Sequence, residues 1–262
     1  MSRRLARLAL VLAATATSAL VATGGAASAD PITELTPAHG PVVPLKNASM
    51  IVKTGVGYRY MSGQQDSNLT VSQVGNRLLF VDTGTQELRT RPKSCKETKV
   101  SQGIRVSCRI NPRFTASSPM FLEIWPRLGD DYVDGRTLSS TFRMWVLADA
   151  GNDTAYTGAG DDFVNGAQGD DVAYGGAGTD WLRTGIDNDV LFGQDGDDRL
   201  VATAGQDEVH GGEGNDQVGG GEGDDKLWGD AGNDTVACGV GIDNAWYDGS
   251  DRVRACESTF SS

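Results

Sequence analysis

Gly211-Gly-Glu-Gly-Asn-Asp-Gln-Val-Gly219 runs directly into Gly220-Gly-Glu-Gly-Asp-Asp-Lys-Leu-Trp228, and the phase these two nonapeptides share extends from Ala148 to Trp246 without insertion or deletion. Eleven nonapeptides result. An aspartate recurs at every ninth position: Asp153, Asp162, Asp171, Asp180, Asp189, Asp198, Asp207, Asp216, Asp225, Asp234 and Asp243. Two residues after each stands an apolar side chain, in order Ala155, Val164, Ala173, Leu182, Leu191, Leu200, Val209, Val218, Leu227, Val236 and Ala245. Two residues before each stands a glycine, as at Gly151, Gly160, Gly169, Gly178, Gly196, Gly205, Gly214, Gly223 and Gly232, except that Asp187 holds that place before Asp189. Each unit ends on the same five-residue logic, a turn, an aspartate, an outward residue, an apolar residue and another outward residue, so one apolar side chain serves each short strand. Such a strand cannot bury its one apolar side chain alone, so neighbouring units must stack into a continuous core. The glycines supply positive φ and leave backbone carbonyls free to converge on an ion. A disordered Gly/Asp-rich linker predicts neither the phase nor the apolar column.

The pattern resembles the Gly-Gly-x-Gly-x-Asp-x-U-x nonapeptide of the repeats-in-toxin (RTX) calcium-binding family. The resemblance implies an all-β chain, a right-handed parallel β-roll with two repeats per coil. Repeats n and n+2 then stack at strand spacing, roughly 4.7–4.9 Å, placing Asp153 over Asp171 and Asp162 over Asp180. Carboxylates that close repel by about 1 kcal/mol in water and several-fold more near a protein surface. A divalent ion between them removes the conflict. A hard oxygen cage of carboxylates and carbonyls, with no Cys or His at a turn ligand position, selects Ca²⁺ over zinc or copper. Eleven repeats taken n with n+2 allow at most nine such sites.

Upstream, residues 1–29 read as a secretory signal: Arg3, Arg4 and Arg7, an apolar run from Leu8 to Val21, and a small-residue cleavage site at Ala27-Ser28-Ala29. Fourteen mildly apolar residues are too few to span a bilayer of about 30 Å. An exported, extracellular product is expected, by the general or the twin-arginine route. Residues 30–57, with Pro31, Pro37, Pro41 and Pro44, look like an extended leader. Residues 58–127 carry strand signals such as Leu78-Leu-Phe-Val81 and Ile104, Val106, Cys108, and their Asn68-Leu-Thr-Val-Ser-Gln73 and Phe80-Val-Asp-Thr-Gly84 resemble the lead-in of exported actinobacterial proteins with these repeats. That resemblance suggests degenerate early coils of the same solenoid. Residues 128–147 form the junction, since Gly129, Asp131 and Val133 occupy the places of turn glycine, aspartate and inward apolar residue. Residues 247–262 form a C-terminal cap.

Charge divides the chain. Residues 30–147 hold fifteen Lys/Arg against ten Asp/Glu, whereas 148–246 hold three against twenty-two. Bound calcium would cancel much of the second excess, so the pI of 4.6 describes an ion-binding apparatus and not a disordered acidic tail. The weakly basic half gives no case for nucleic acid. Four cysteines in an exported chain read as two disulfides. Cys238 and Cys256 are one coil apart, and Cys95 with Cys108 follows by elimination.

No His-Glu-x-x-His and no Gly-x-Ser-x-Gly occurs, and two histidines leave little for a hydrolase, so no enzyme is expected. At the last place of the odd repeats stand Tyr156, Tyr174, Phe192, His210, Trp228 and Trp246, an outward ladder along one face. Such rings either stiffen the sheet or offer a platform to cell-wall polysaccharide or a surface protein. Two functions follow: a calcium-binding protein that folds on Ca²⁺, or an adhesin or carbohydrate-binding module using Ca²⁺ as structural cement.

Overall fold

The computed structural model describes residues 48–261, so the expected signal and the leader up to residue 47 lie outside the described residues. All regular elements within them are strands. They form a parallel β-solenoid of two sheets, one of eleven strands and one of twelve. Even repeats feed the first sheet and odd repeats the second. In the first, Leu182 pairs with Leu200; in the second, Ala155 pairs with Ala173 and Leu191 with Val209, a step of eighteen residues each time. The apolar column points between the sheets, and every member from Ala155 to Ala245 is buried.

The turns depend on bare Cα atoms. Gly169 has φ 113°, and a Cβ there would lie 2.2 Å from the carbonyl oxygen of Gly151. Gly160 differs. It lies outside the left-handed region, and its glycine is required for space alone, because a Cβ would sit 1.8 Å from the Phe142 carbonyl oxygen. Asp187 adopts φ 80° where its neighbours carry glycine.

The lead-in joins the same sheets. Gly57–Met61 pairs parallel with Met120–Leu128, and Asn68–Val74 with Tyr132–Asp134. Around these coils lies an antiparallel cap: Arg77–Asp82 on Asn68–Val74, Ile104–Arg109 on Arg77–Asp82, and Cys95–Thr98 on Ile104–Arg109. The expected leader is corrected at its end, since Ala48–Lys53 is a strand antiparallel to Gly57–Met61. Alternation explains it: Ser49 and Ile51 are buried on one face, while Val52 is exposed on the other. Both disulfides join the expected cysteines, Cys238 to Cys256 as the spacing indicated and Cys95 to Cys108 as the remaining pair. The second crosses the last coil, where the register shortens to seventeen residues at Thr235 and Arg252, and to fourteen at Asn244 and Ser258.

Candidate metal site

Every repeat aspartate points into its turn, at 6% exposure or less. One oxygen of each is used to join coils. The backbone N–H of Asp153 donates to Asp171 Oδ1 at 2.9 Å, that of Asp171 to Asp189 Oδ1 at 2.8 Å, and that of Asp189 to Asp207 Oδ1 at 2.8 Å. On the other side Asp162 N–H donates to Asp180 Oδ1 at 2.7 Å, Asp180 to Asp198, Asp198 to Asp216 and Asp216 to Asp234, each of these at 2.8 Å. Asp207 N–H and Asp225 N–H continue the first column to Asp225 and Asp243. The stacking expected of repeats n and n+2 is therefore present as two columns.

The other oxygen has no partner. Oδ2 of Asp153, Asp171, Asp180, Asp189, Asp198, Asp207, Asp216, Asp225, Asp234 and Asp243 is buried without a hydrogen bond, as is Oδ2 of Asp131. A buried, unpaired carboxylate oxygen is costly. Asp162 is the exception, because Gly158 N–H reaches its Oδ2 at 2.9 Å and Met144 N–H its Oδ1 at 2.7 Å. It starts its column, with no carboxylate eighteen residues earlier.

The price appears as displaced protonation. Burial pushes Asp180 up to about 9, reinforced by the Asp162 carboxylate, and burial pushes Asp131 to about 8. Asp153, Asp162, Asp171, Asp198 and Asp207 rise to about 7, again through burial first. Asp189, Asp216 and Asp234 rise to about 6, while Asp225 and Asp243 are raised for the same reason. A divalent cation beside Oδ2 reverses this logic.

The free oxygens have carbonyl neighbours. The point where a Cβ would stand on Gly193 is 2.3 Å from the Gly211 carbonyl oxygen and 2.5 Å from Asp198 Oδ2; on Gly211 it is 2.5 Å from both the Gly229 carbonyl oxygen and Asp216 Oδ2. Gly175 and Gly220 show the same convergence, on Asp180 with Gly193 and on Asp225 with Cys238. These first-place glycines were not among the residues singled out from sequence, although the leading Gly of the nonapeptide was their signal. The glycines two before each Asp form a separate stack. The carbonyl oxygens of Gly151, Gly160, Gly178, Gly196, Gly205 and Gly214 face the bare Cα of the glycine one coil on. Among the described residues no three His, Cys, Asp or Glu side chains gather as a metal cluster. The oxygens beside these free Oδ2 atoms are backbone carbonyls, a donor type that Ca²⁺ accepts and that zinc or copper does not favour.

A second ladder provides an internal control. One residue before each aspartate, Asn152 N–H donates to Asp130 Oδ1, Asp170 N–H to Asn152 Oδ1, Asn188 N–H to Asp170 Oδ1 and Gln206 N–H to Asn188 Oδ1, at 2.9–3.1 Å. On the other side the column runs Asp161, Thr179, Asp197, Asn215 and Asn233. Within the repeats no two carboxylates are adjacent in either; before them, Asp130 N–H donates to Asp66 Oδ1. Where only an acceptor is needed, the sequence dilutes charge; in the inner columns it keeps a carboxylate on every coil.

Both columns extend beyond the repeats. Ser67 N–H donates to Asp131 Oδ1 and Asp131 N–H to Asp153 Oδ1. At the other end Asp234 N–H donates to Asp251 Oδ1 at 3.0 Å and Asp243 N–H to Glu257 Oε2 at 3.0 Å. Glu257 was not anticipated, since it arrives fourteen residues on and with a longer side chain.

The aromatic ladder is continuous. Tyr156, Tyr174, Phe192, His210, Trp228 and Trp246 stack at centroid distances of 4.2–4.9 Å with planes within 14° of parallel, and Phe260 extends the series. His210 also meets Glu208 and Asp230 through its two ring nitrogens, at 3.3 and 3.6 Å.

The RTX calcium-binding nonapeptide repeat model matches four copies, over residues 145–173, 174–209, 201–236 and 210–244. The chain thus carries calcium-binding repeats of this family on the region that forms the two columns. No curated protein and no solved structure matches.

Proposed function

We propose that this chain, whose residues 145–244 carry RTX calcium-binding repeats, is an exported protein that holds several Ca²⁺ ions between stacked turns and completes its fold when they bind. The observation that carries the reading is the row of buried Oδ2 atoms with no partner. Asp153, Asp171, Asp189, Asp207, Asp225 and Asp243 would supply one row of carboxylate ligands, and Asp162, Asp180, Asp198, Asp216 and Asp234 the other. Carbonyls of the turn glycines would complete each cage. The ion supplies positive charge at Oδ2. The residues themselves fix Oδ1 through the preceding coil's backbone N–H, so the free oxygen is aimed before the ion arrives.

Export fits the two disulfides, which belong in an oxidising compartment. It also fits the weak affinity of extracellular calcium modules, with Kd near 10⁻⁴–10⁻³ M. Millimolar calcium then stabilises each site by about 1 kcal/mol, and cytosolic calcium by almost nothing. The chain would cross the membrane unfolded. The repeats are a structural and ion-binding apparatus, and no step of catalysis is assigned to them. The ladder on the second sheet acts as reinforcement: a sugar ring packs against an exposed ring face, and there each face is covered by the next ring.

Far-UV circular dichroism of the full mature chain in EDTA, then in increasing calcium, tests the reading. A cooperative gain of β signal near millimolar calcium is expected. A β spectrum that is already complete in EDTA at neutral pH overturns it.

A further inference from the structure

The first sheet presents a different outer face. Its outward residues in the even repeats are Phe163 and Asn165, Trp181 and Arg183, Arg199 and Val201, Gln217 and Gly219, Thr235 and Ala237. None is acidic, although the repeats hold twenty-two Asp/Glu. The acids lie in the turns, at strand ends next to them (such as Glu222 in this sheet and Asp195, Glu213 and Asp230 in the other), and at Glu208 on the other sheet. Two of the three cations in the repeats, Arg183 and Arg199, stand on this face, and the C-terminal coil adds Arg252 and Arg254 in register with Thr235 and Ala237. Among the described residues none of these four guanidinium groups pairs with a carboxylate. By contrast Arg59 and Arg143, near the lead-in, are neutralised by Glu123 and Asp161.

The rings here are also arranged differently. Phe121, Trp145, Phe163 and Trp181 follow one another at 5.1–6.2 Å, but with planes inclined by 63–86°. Inclined rings do not cover one another's faces as the parallel ladder does. The row ends on a cation, since the Arg199 guanidinium lies 5.0 Å from the Trp181 ring centroid, and Gly219 and Ala237 continue it as a shelf without large side chains.

We infer that this face is a docking strip for a linear acidic polysaccharide, with ring faces of Trp145, Phe163 and Trp181 taking pyranose rings and Arg183 and Arg199 taking uronate carboxylates. A guanidinium matches a carboxylate in two-point geometry. Four cations spread over five strands suit a polymer bearing widely spaced charges. A nucleic acid, with a phosphate at every step of about 3.4 Å along each strand, would bring far more charge than the strip balances, next to two rows of acidic turns. The strip rests on the calcium reading in one respect. From residue 30 on the chain holds twenty Lys/Arg against thirty-five Asp/Glu, a formal excess of fifteen negative charges that opposes any polyanion and that eight divalent ions offset, so docking belongs to the calcium-loaded protein.

The test uses the full mature chain in calcium, with immobilised hyaluronan as an alternating uronate polymer that calcium does not gel. Amylose serves as the uncharged polymer and an oligo-thymidylate as the nucleic acid. Hyaluronan should be retained and amylose not, with affinity falling at least tenfold in Arg183→Gln/Arg199→Gln and at least threefold in Trp181→Ala. Lys226→Gln, on the outer face of the other sheet, should leave binding unchanged. Circular dichroism in calcium confirms that each variant is folded, and should Trp181→Ala fail that check, the arginine pair decides alone. Absence of hyaluronan binding by the folded chain, binding indifferent to the arginine pair, or equal binding of the oligonucleotide each overturns the strip. Calcium calorimetry, run separately, reads the calcium reading itself. If it is flat, that reading fails, and the strip stands or falls on the arginine pair in the same buffer.

Discussion

Asp180→Asn should change the sign of its effect with calcium. Without the ion, Asp180 is a buried carboxyl whose Oδ1 accepts from Asp162 N–H at 2.7 Å and whose Oδ2 has no partner. It titrates near 3.8 when unfolded and at about 9 when folded. A raised carboxyl stabilises the fold only below the lower value, and the benefit disappears as pH climbs towards the higher one. At pH 7.5 the chain must take up a proton to fold, at about 1.4 kcal/mol per unit above 3.8, roughly 5 kcal/mol as an upper bound. Asparagine carries no such cost. It keeps the Oδ1 acceptor and turns an N–H₂ towards the Gly193 carbonyl, which lies near the free oxygen. In EDTA the variant should therefore be more stable by several kcal/mol. In millimolar calcium it loses a charged ligand for the ions on either side, so it should be less stable, by about 1–3 kcal/mol. Urea midpoints read by circular dichroism, in EDTA from pH 5 to 8 and in calcium, make the comparison. A variant stabilised equally in both media would show that no ion sits in the column.

In EDTA the wild-type β signal should survive in mild acid and fade as pH rises through about 6–9, the range to which burial raises most of the column; calcium should abolish that loss, and a pH-independent spectrum in EDTA would contradict the account. Trp228→Ala removes two stacked contacts, with His210 and Trp246 at 4.2 Å each, and should cost about 1–3 kcal/mol in a calcium-loaded thermal melt. Gln194 holds φ 79°, so Gln194→Gly should stabilise by about 0.5–1 kcal/mol, the left-handed strain less the added freedom of the unfolded glycine; an unchanged or lowered midpoint would mean the strain is absent. Cys256→Ser opens the bridge to Cys238, eighteen residues away, and should cost about 3 kcal/mol, seen as faster amide exchange in the last coil while the central coils keep their protection.

The repeats were legible because period and chemistry agree at every step. Asp, an apolar residue two places on and Gly two places before fix the strand, the inward face and the turn together, and the structure places all eleven apolar residues inside. Residues outside that agreement were harder. Asp187 breaks the glycine rule, yet its Oδ2 accepts from Gly169 N–H at 3.2 Å. One hydrogen bond of about 1 kcal/mol offsets much of the strain of a left-handed aspartate. The antiparallel cap was not legible, because Leu78 and Phe80 alternate with outward residues whether their neighbours run parallel or antiparallel. Periodicity reports which face is buried, and it carries no information about strand direction.

The column ends show what a repeat rule leaves out. Within the repeats each turn N–H finds a carboxylate because the next coil repeats the same nine residues, but the last two turns have no next coil. Asp251 and Glu257 supply the missing oxygens from seventeen and fourteen residues on. The shorter step is compensated by the longer reach of a glutamate, and the Cys238 to Cys256 bridge fixes the segment that carries it. Geometry selects these residues: whatever their spacing, an oxygen must stand opposite the N–H of Asp234 and of Asp243. That requirement can be read only once the coil path is known. It also gives the C-terminal cap a definite task, closing two acidic columns at the point where the outermost strands of both sheets, Arg252–Arg254 and Ser258–Ser261, face solvent.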